Sequence, residues 1–448
     1  MSATPTITDQ DVEQYTQLTQ QVLQQARQAG ASAAEVSVNF SSGLSSCVRM
    51  GAVDTVEFHR EKGLGLTVYF DQQKGHASSS DTSAEALTQI VEAACDIAKA
   101  TQGDPYTGLA EEALLAKPAT ELPLYYPWSL TAEQAIELAK QCESEALTHD
   151  QRIINSEGAT LATGQHLQVC ANSLGFVGHQ RTSRHSLNCV LVAKDAQGMQ
   201  RDYAYTTARD PQDLWSTNQV AMLAAQRTLD RLDARRLPTG RWPVILTPEI
   251  AAQLLHYFIR AISGGLLYRR ASFLVDCLGK QIFPTHLTLT EDPWLDKGWG
   301  SAAFDDEGVK TTARTLVDAG VLQGYVLGSY SARRLGMQTT GNAGGIHNIL
   351  IQPQPLTQAQ LLDKMDTGLL VTETMGHGVN LVTGDFSQGA VGFWVEQGEI
   401  QFPVHEITIA GRLPDMLQNI VAISNDLDNR QMIRTGSMLI EQMTIAGQ

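Results

Sequence analysis

The segment PVILTPEIAAQLLHYFIRAISGGLLYRRASFL, residues 243–274, combines a short apolar strand, a helix and a glycine break. Thr247 is suited to cap the helix, because its hydroxyl can accept a hydrogen bond from the first turn and Pro248 follows at the first helical position. Apolar side chains then recur at helical spacing until a Gly-Gly pair that starts at Gly264, where the run is expected to end. The pattern predicts a largely apolar helix with His256 in its middle.

Residues 1–102 are predicted to form an N-terminal α+β domain. Between two amphipathic helices the sequence alternates apolar and polar residues, which is typical of half-buried strands. The second helix is expected to start at a capping box formed by Thr82 and Glu85. Three successive strands are expected at Ala34–Phe40, Cys47–Phe58 and Leu64–Phe70, followed by a short fourth strand.

Two further regions precede the focal helix. Residues 103–128 contain four prolines and are predicted to be an extended linker. Residues 129–236 are predicted to form a middle α+β domain, with one helix capped at Thr131 and a later helix that opens at Asp210 and continues to Leu232.

The remainder, residues 237–448, is predicted to be a mostly antiparallel β domain, because strand-like runs alternate with glycine turns. We expect a twisted sheet or an open barrel. The predicted fold class is therefore α+β, with strands and helices in the first half and a β-rich domain in the second.

Charge and cysteine usage limit the possible partners. The formal net charge of −16 repels phosphate backbones and anionic lipids, so neither nucleic acid nor a membrane is expected as a partner. No run approaches the roughly 18 consecutive apolar residues of a membrane span. Six scattered cysteines without C-x-x-C spacing are typical of a reducing compartment, and the first residues lack the pattern of a secretory signal. We therefore expect a cytoplasmic protein.

Several short motifs follow one another along the chain. They are GLGLTVY at 63–69, RDYAY at 201–205, YRR at 268–270, SFL at 272–274, GKQI at 279–282, SYSAR at 329–333, TGNAGGIHN at 340–348, GFW at 392–394 and ITIAG at 407–411. A chain with these motifs in this order resembles the TldD/PmbA family, the "modulator of DNA gyrase" proteins, and is most similar to the PmbA (TldE) branch. The resemblance implies a subunit of a bacterial or archaeal zinc metallopeptidase.

The same resemblance implies where a metal site would lie. The family's catalytic branch carries H-E-x-x-x-H on the focal helix, completed by a cysteine near the C-terminus. The matching positions here are His256, Tyr257 and Ala261, and no cysteine follows Cys277. A catalytic zinc needs three protein ligands and a carboxylate that moves the proton, so we expect no metal or other cofactor in this chain. His256 is then expected to be a packed or hydrogen-bonded core histidine.

Two glycine-rich loops are candidates for lining a peptide groove. The first lacks the Lys and Ser/Thr of a phosphate-binding P-loop, which favours a tight loop over a nucleotide site. The second places a histidine between two glycines. We expect these residues to be structural or groove-lining. The candidates are Gly341, Gly344, Gly345, His347, Gly376, His377 and Gly378.

Three functions remain open. The first, which we favour, is a catalytically silent subunit that pairs with a zinc-bearing TldD-type homologue and helps to cleave unfolded peptides. For that pair, the resemblance implies maturation of peptide-antibiotic precursors and degradation of antitoxins. The second is an autonomous metalloprotease that uses non-standard ligands, such as His256 with His347 or His377. The third is a regulatory protein that binds peptides without cleaving them. A homodimer of the isolated chain is also possible.

Overall fold

The computed structural model describes residues 6–447. In the first half of this range, four helices pack on one face of a six-stranded antiparallel sheet. The helices are α1 (Asp9–Gln28), α2 (Ala84–Ala100), α3 (Ala132–Leu147) and α4 (Thr217–Asp230). The strands are β1 (Ala33–Arg49), β2 (Ala52–Phe70), β3 (Gln73–Ser79), β4 (Ile153–Asn172), β5 (Val177–Lys194) and β6 (Met199–Ala208).

Residues 1–102 and residues 129–236, which are predicted to form separate domains, share this sheet. The strand order is β3-β2-β1-β4-β5-β6, so residues 1–102 and residues 129–236 each supply three neighbouring strands. β1 and β4 join them by antiparallel pairing from Glu35 opposite Asn172 to Val48 opposite Ala159. Alternation along a strand predicts which face is buried but not which strand lies beside it, so the sequence does not predict that β1 pairs with β4.

Burial on this sheet follows the two-residue period of a strand. Even-numbered residues of β1 point toward the helices and are buried, from Val36 to Val48. Near Val36 they join a core with α1 and α2, and near Leu44 they join a second core with α3 and α4. One continuous strand thus supports both helix pairs.

Several predicted boundaries are wrong for local reasons. The expected strand Cys47–Phe58 spans a hairpin turn at Met50 and Gly51, which both have positive φ angles, so two long strands replace three short ones. Ser83 caps α2 in place of the predicted Thr82. Asp210 opens only a single 3-10 turn, and α4 begins after Ser216, whose hydroxyl accepts from the third residue beyond it.

The second half is built on a barrel. Five strands close on themselves in the order β12-β7-β18-β15-β14, because β12 also pairs with β14. The predicted β-rich domain is therefore confirmed, and its barrel is closed. The strands are β7 (Gly240–Leu246), β12 (Gly368–Met375), β14 (Asp385–Glu396), β15 (Glu399–Arg412) and β18 (Met438–Ala446), with β13 (Val379–Asn380) and β16 (Ile420–Ile423) attached.

A smaller sheet packs beside the barrel. Its strands are β8 (Leu289–Asp292), β9 (Arg314–Asp318), β10 (Val321–Leu322), β11 (Asn348–Ile351) and β17 (Ile433–Arg434), in the order β10-β9-β8-β11-β17. The helices of this half are α5 (Pro248–Ala261), α6 (Gly264–Tyr268), α7 (Ser329–Arg334), α8 (Gln358–Met365) and α9 (Leu413–Gln418). Within residues 6–447, no helix combines the length and apolar character needed to cross a bilayer.

Helix α5 is the predicted focal helix. Its apolar face joins the core that the barrel and the small sheet share, where Phe258 meets the ring of Phe283 edge-on at 5.0 Å. Thr247 is the cap residue, but its hydroxyl makes no hydrogen bond to any described residue. The helix ends at Ala261, and Gly264 starts the short α6 rather than ending α5, because the backbone there runs against α7.

Candidate functional site

A cleft of about 580 Å³ lies along the exposed face of α5. Residues 252–263 form one wall, the loop at residues 344–346 forms the other, and residues 431–433 form the floor. The three segments are far apart in sequence and meet because α5 packs across the end of the small sheet.

The α5 wall presents two basic side chains. His256 and Arg260 are four residues apart, so they lie one above the other on the helix surface, and both are exposed. The prediction of a packed core histidine is therefore wrong, because the apolar face of α5 is turned away from His256. Partial burial and then the charge of Arg260 lower the pKa of His256, which favours a neutral imidazole in the cleft.

Tyr257 connects α5 to the second glycine-rich loop. The Gln388 amide donates to the Tyr257 hydroxyl at 3.1 Å and to the Gly376 carbonyl at 3.2 Å. Gly376, His377 and Gly378 are exposed between β12 and β13, outside the lining of the cleft. The structure therefore places this loop beside the site and ties it there through Gln388.

The first glycine-rich loop forms the opposite wall. Gly344 and Gly345 both have positive φ angles and present their backbone to the cleft. A Cβ atom at Gly344 would lie only 2.3 Å from the carboxylate of Asp306, so no side chain fits there. Gly341, also with positive φ, is buried behind them. Of the three predicted glycines, two line the cleft.

His347 supports this loop from beneath and does not line the cleft. Its Nε2 lies 2.9 Å from the Gly341 carbonyl oxygen and its Nδ1 lies 3.1 Å from the Gly300 carbonyl oxygen. Glu291, which is 1 % exposed, accepts from the His347 backbone N–H at 2.7 Å and from the Asn342 amide at 2.8 Å. His347 therefore holds the loop in place and, unlike Gly344 and Gly345, does not form the wall of the cleft.

The floor of the cleft is absent from the sequence predictions. β17 is only two residues long and pairs in parallel with β11, and the Ile349 backbone N–H donates to the Met432 carbonyl at 2.9 Å. β17 is also the last strand of the small sheet. No pattern in the sequence signals so short a strand, because both periodicity and turn chemistry need more residues.

The residues present do not fit a catalytic zinc. Within residues 6–447, no group of three His, Cys, Asp or Glu side chains is placed to hold a metal ion. At the positions that match the family motif, His256 is the only metal-binding type, Ala261 is fully buried, and the Tyr257 hydroxyl accepts from Gln388. We therefore derive no chemical step through a metal in this chain.

Comparison with known proteins covers nearly the whole chain. Family models of the PmbA/TldA metallopeptidase match domain 1 at residues 34–98, the central domain at residues 125–232 and the C-terminal domain at residues 239–447. Metalloprotease PmbA of Escherichia coli O157:H7 is 48% identical over 93% of this chain and 92% of its own length. A PmbA homolog from Haemophilus influenzae is 47% identical over 94% of each chain.

Solved structures agree with these matches. A protein from Bacteroides thetaiotaomicron, named as a modulator of DNA gyrase, superposes with a TM-score of 0.92 at 28% identity over 99% of this chain and 100% of its own. A second modulator of DNA gyrase, from Thermotoga maritima, gives a TM-score of 0.87 at 25% identity over 96% of this chain and 100% of its own. The family models, the sequence relatives and the fold all agree, and the chain belongs to the PmbA branch of the PmbA/TldD metallopeptidase family.

Proposed function

We propose that this chain is the catalytically silent subunit of a two-chain metallopeptidase that cleaves unfolded peptides. A TldD-type homologue supplies the zinc and the general base, and this chain supplies part of the enclosure that binds the peptide. One observation carries the proposal: of the α5 residues that match the family's zinc motif, only the exposed His256 has a side chain that can bind a metal ion.

The cleft suits an extended peptide. One wall is glycine backbone at Gly344 and Gly345, which allows another backbone to approach closely. The floor, residues 431–433, runs into the terminal strand β17 at Ile433, and a strand at the end of a sheet can receive an extended segment by main-chain hydrogen bonds. Apolar side chains such as Met432 and Ile259 offer contacts to alternate residues of such a peptide. A folded protein cannot enter a cleft of this size, which gives a reason for selecting unfolded substrates.

Two alternatives receive less support. An autonomous metalloprotease would need His256 to share a metal with His347 or His377, but both ring nitrogens of His347 face backbone carbonyls and His377 lies outside the cleft. A peptide-binding regulator would use the same cleft without cleavage.

The substrates that we propose, from the family resemblance, are precursors of peptide antibiotics and labile antitoxins. We propose the cytoplasm as the compartment, since all six cysteines are free thiols.

The test is a reconstitution with a TldD-type homologue that carries the complete zinc motif. We expect the mixture to cleave an unfolded peptide, each isolated chain to be inactive, and zinc to be found in the partner alone. Stoichiometric zinc in this chain alone, removable by a chelator and required for cleavage, would support the autonomous enzyme. Peptide binding without cleavage in every combination would support the regulator.

Two variants test whether His256 binds the metal or only lines the cleft. In the reconstituted complex, we expect His256→Ala to leave the zinc content unchanged and to lower kcat by less than about tenfold, because a residue that only lines the cleft contributes no metal ligand. Met432→Glu in the floor is expected to raise KM, because it places a charge among apolar contacts. Loss of zinc and of activity in His256→Ala, with assembly intact, contradicts the proposal.

A further inference from the structure

A second cavity, of about 280 Å³, lies where the six-stranded sheet meets the loop at residues 306–308. On the sheet side, four polar residues stand directly opposite one another across β3, β2, β1 and β4, on the face that points away from the helices: His76, Thr67, Glu35 and Asn172. This cavity and the cleft along α5 have different lining residues. It is therefore a separate polar space between the two halves of the chain.

Asp305 fixes the loop that covers this row. Its carboxylate accepts hydrogen bonds from the backbone N–H groups of Glu307 at 3.0 Å and of Val309 and Ala343 at 2.9 Å each. These bonds fix the backbone that carries Asp306 and Glu307, and both residues line the cavity. Asp306 is exposed, so the cavity opens to solvent on this side.

Three carboxylates line the cavity without a counter-ion. They belong to Glu35 of the sheet and to Asp306 and Glu307 of the loop, and none of them forms an ion pair with a described Lys, Arg or His side chain. Burial raises the pKa of Glu35, and the charge of Glu307 acts in the same direction. A bound cation would offset both effects, so the charges favour a cationic ligand.

Asn172 adds a hydrogen-bond donor to the same cavity. Its side chain is 4% exposed, and its Oδ1 accepts from the backbone N–H groups of Leu174 at 3.0 Å and Phe176 at 3.3 Å. Those two donors fix which end of the amide is the oxygen. The Nδ2 has no hydrogen-bond partner within residues 6–447, although Asn172 lines the cavity. Because buried donors are nearly always paired, this nitrogen indicates an acceptor on a bound molecule.

We propose that this cavity binds the amino terminus of a peptide. The α-ammonium group lies among Glu35, Asp306 and Glu307, and the first peptide carbonyl accepts a hydrogen bond from Asn172 Nδ2. An ammonium group has three N–H donors, so it can bond more than one carboxylate at once. Cavities that enclose a whole small ligand usually begin at roughly 300 Å³, so this one has room for only the first residue or two of a peptide.

Other cations fit these residues less well. Across residues 6–447, no three His, Cys, Asp or Glu side chains are placed to bind a metal ion, and the Asn172 nitrogen is a donor that cannot ligate one. A free amino acid has the same ammonium group, but the three acidic side chains would repel its carboxylate. A peptide carbonyl is neutral, so the combination of charges and donor favours a peptide over a free amino acid.

Isothermal titration calorimetry of the full chain with alanyl-alanine amide tests this site. We expect one molecule bound per chain, and an affinity at least about tenfold lower for the N-acetylated compound, which has no charge, and for free alanine. Glu35→Gln and Glu307→Gln each remove one charge with little change of shape and should weaken binding at least about tenfold. Glu61→Gln, exposed on β2 and outside the cavity, is the matched control and should leave the affinity unchanged.

Asn172→Asp tests the hydrogen-bond donor, because a carboxylate can still accept from the Leu174 and Phe176 N–H groups. The wild type should prefer alanyl-alanine amide to ethylamine, which lacks a carbonyl, by at least about tenfold, and this variant should lose the preference.

Circular dichroism verifies that each variant is folded. Absence of binding at millimolar concentration overturns the proposal, and so does equal affinity for the acetylated compound or for free alanine. Unchanged affinity in folded Glu307→Gln, or a preference retained in Asn172→Asp, also overturns it. None of these results measures peptide cleavage, so the test is independent of the proposed function.

Discussion

Replacing Arg430 by methionine should destabilise the junction between the two halves of the chain. The Arg430 guanidinium lies 4.3 Å from the ring centre of Tyr205 and 4.9 Å from that of Trp215, so it is held between two aromatic faces of the first half. It also donates to Asp428 and Glu249, each at 2.8 Å. The segment that follows it, residues 431–433, is the floor of the cleft.

The magnitude follows from burial. The side chain of Arg430 is 14% exposed, and those of Asp428 and Glu249 are 7% and 19% exposed. Removing one partner of a pair this buried costs about 3 kcal/mol, since the remaining carboxylate loses its compensation. Burial acts to lower the pKa of Arg430, but the hydrogen bond and charge of Asp428 outweigh it and raise the pKa, so the guanidinium is charged at every accessible pH.

Urea unfolding followed by tryptophan fluorescence measures this effect, and Trp215 lies at the altered contact. A loss of about 3 kcal/mol should lower the unfolding midpoint by about 1 M, given the m-values of domains of this size. Arg201→Met is the control, because the Arg201–Glu157 pair at 2.7 Å is about half exposed and should contribute little. A shift below about 0.3 M for Arg430→Met would refute the reasoning.

Three further predictions concern single side chains. Burial acts to raise the pKa of Glu121, but hydrogen bonds from a neighbouring histidine and arginine outweigh it and lower the pKa from 4.5 to about 2. The stabilisation that Glu121 contributes is therefore present above about pH 4.5 and is lost as the pH falls toward 2. Unfolding measured over this range should therefore show a shallower pH slope for Glu121→Gln than for wild type, and equal slopes would contradict this. Gly264→Ala should cost about 1–3 kcal/mol in thermal unfolding, because its Cβ would lie 2.2 Å from the Ser331 hydroxyl, whereas Gly63→Ala, with open space around it, should cost little. Tyr257→Phe removes the hydrogen bond from Gln388 and should cost about 1 kcal/mol, with faster amide exchange at residues 376–378 as the specific readout.

The sequence predicts the fold class and the focal helix well because both depend on local periodicity. The apolar face of α5 is the predicted face, and the predicted cap at Thr131 is present as a capping box, since such a box needs only four consecutive residues. The α2 cap differs because Ser83, the residue after the predicted Thr82, bonds the helix in its place, and α4 starts later because Asp210 caps only a 3-10 turn before Ser216 caps the helix. Local signals thus determine which element forms and leave its ends open.

The site is less accessible to sequence reasoning. The glycines at 344 and 345 are visible as glycines, but their position opposite His256 depends on how α5 packs across the small sheet. The exposure of His256 was predicted wrongly because the imidazole lies between apolar neighbours in sequence, while a helix turns successive residues to different faces. The support of the loop by the buried Glu291, and the floor at Met432, arise from contacts between distant segments.

The pairing of β1 with β4 has a consequence for synthesis on the ribosome. Glu35 of β1 pairs with Asn172 of β4, and all the residues between them are translated first. The edge of β1 that pairs with β4 therefore stays unpaired until β4 has been synthesised. During that interval the nascent chain holds an incomplete three-stranded piece whose apolar face is only partly sheltered by α1 and α2. Contacts between such distant residues slow folding, so chaperones that bind emerging chains should meet this segment before β4 completes it.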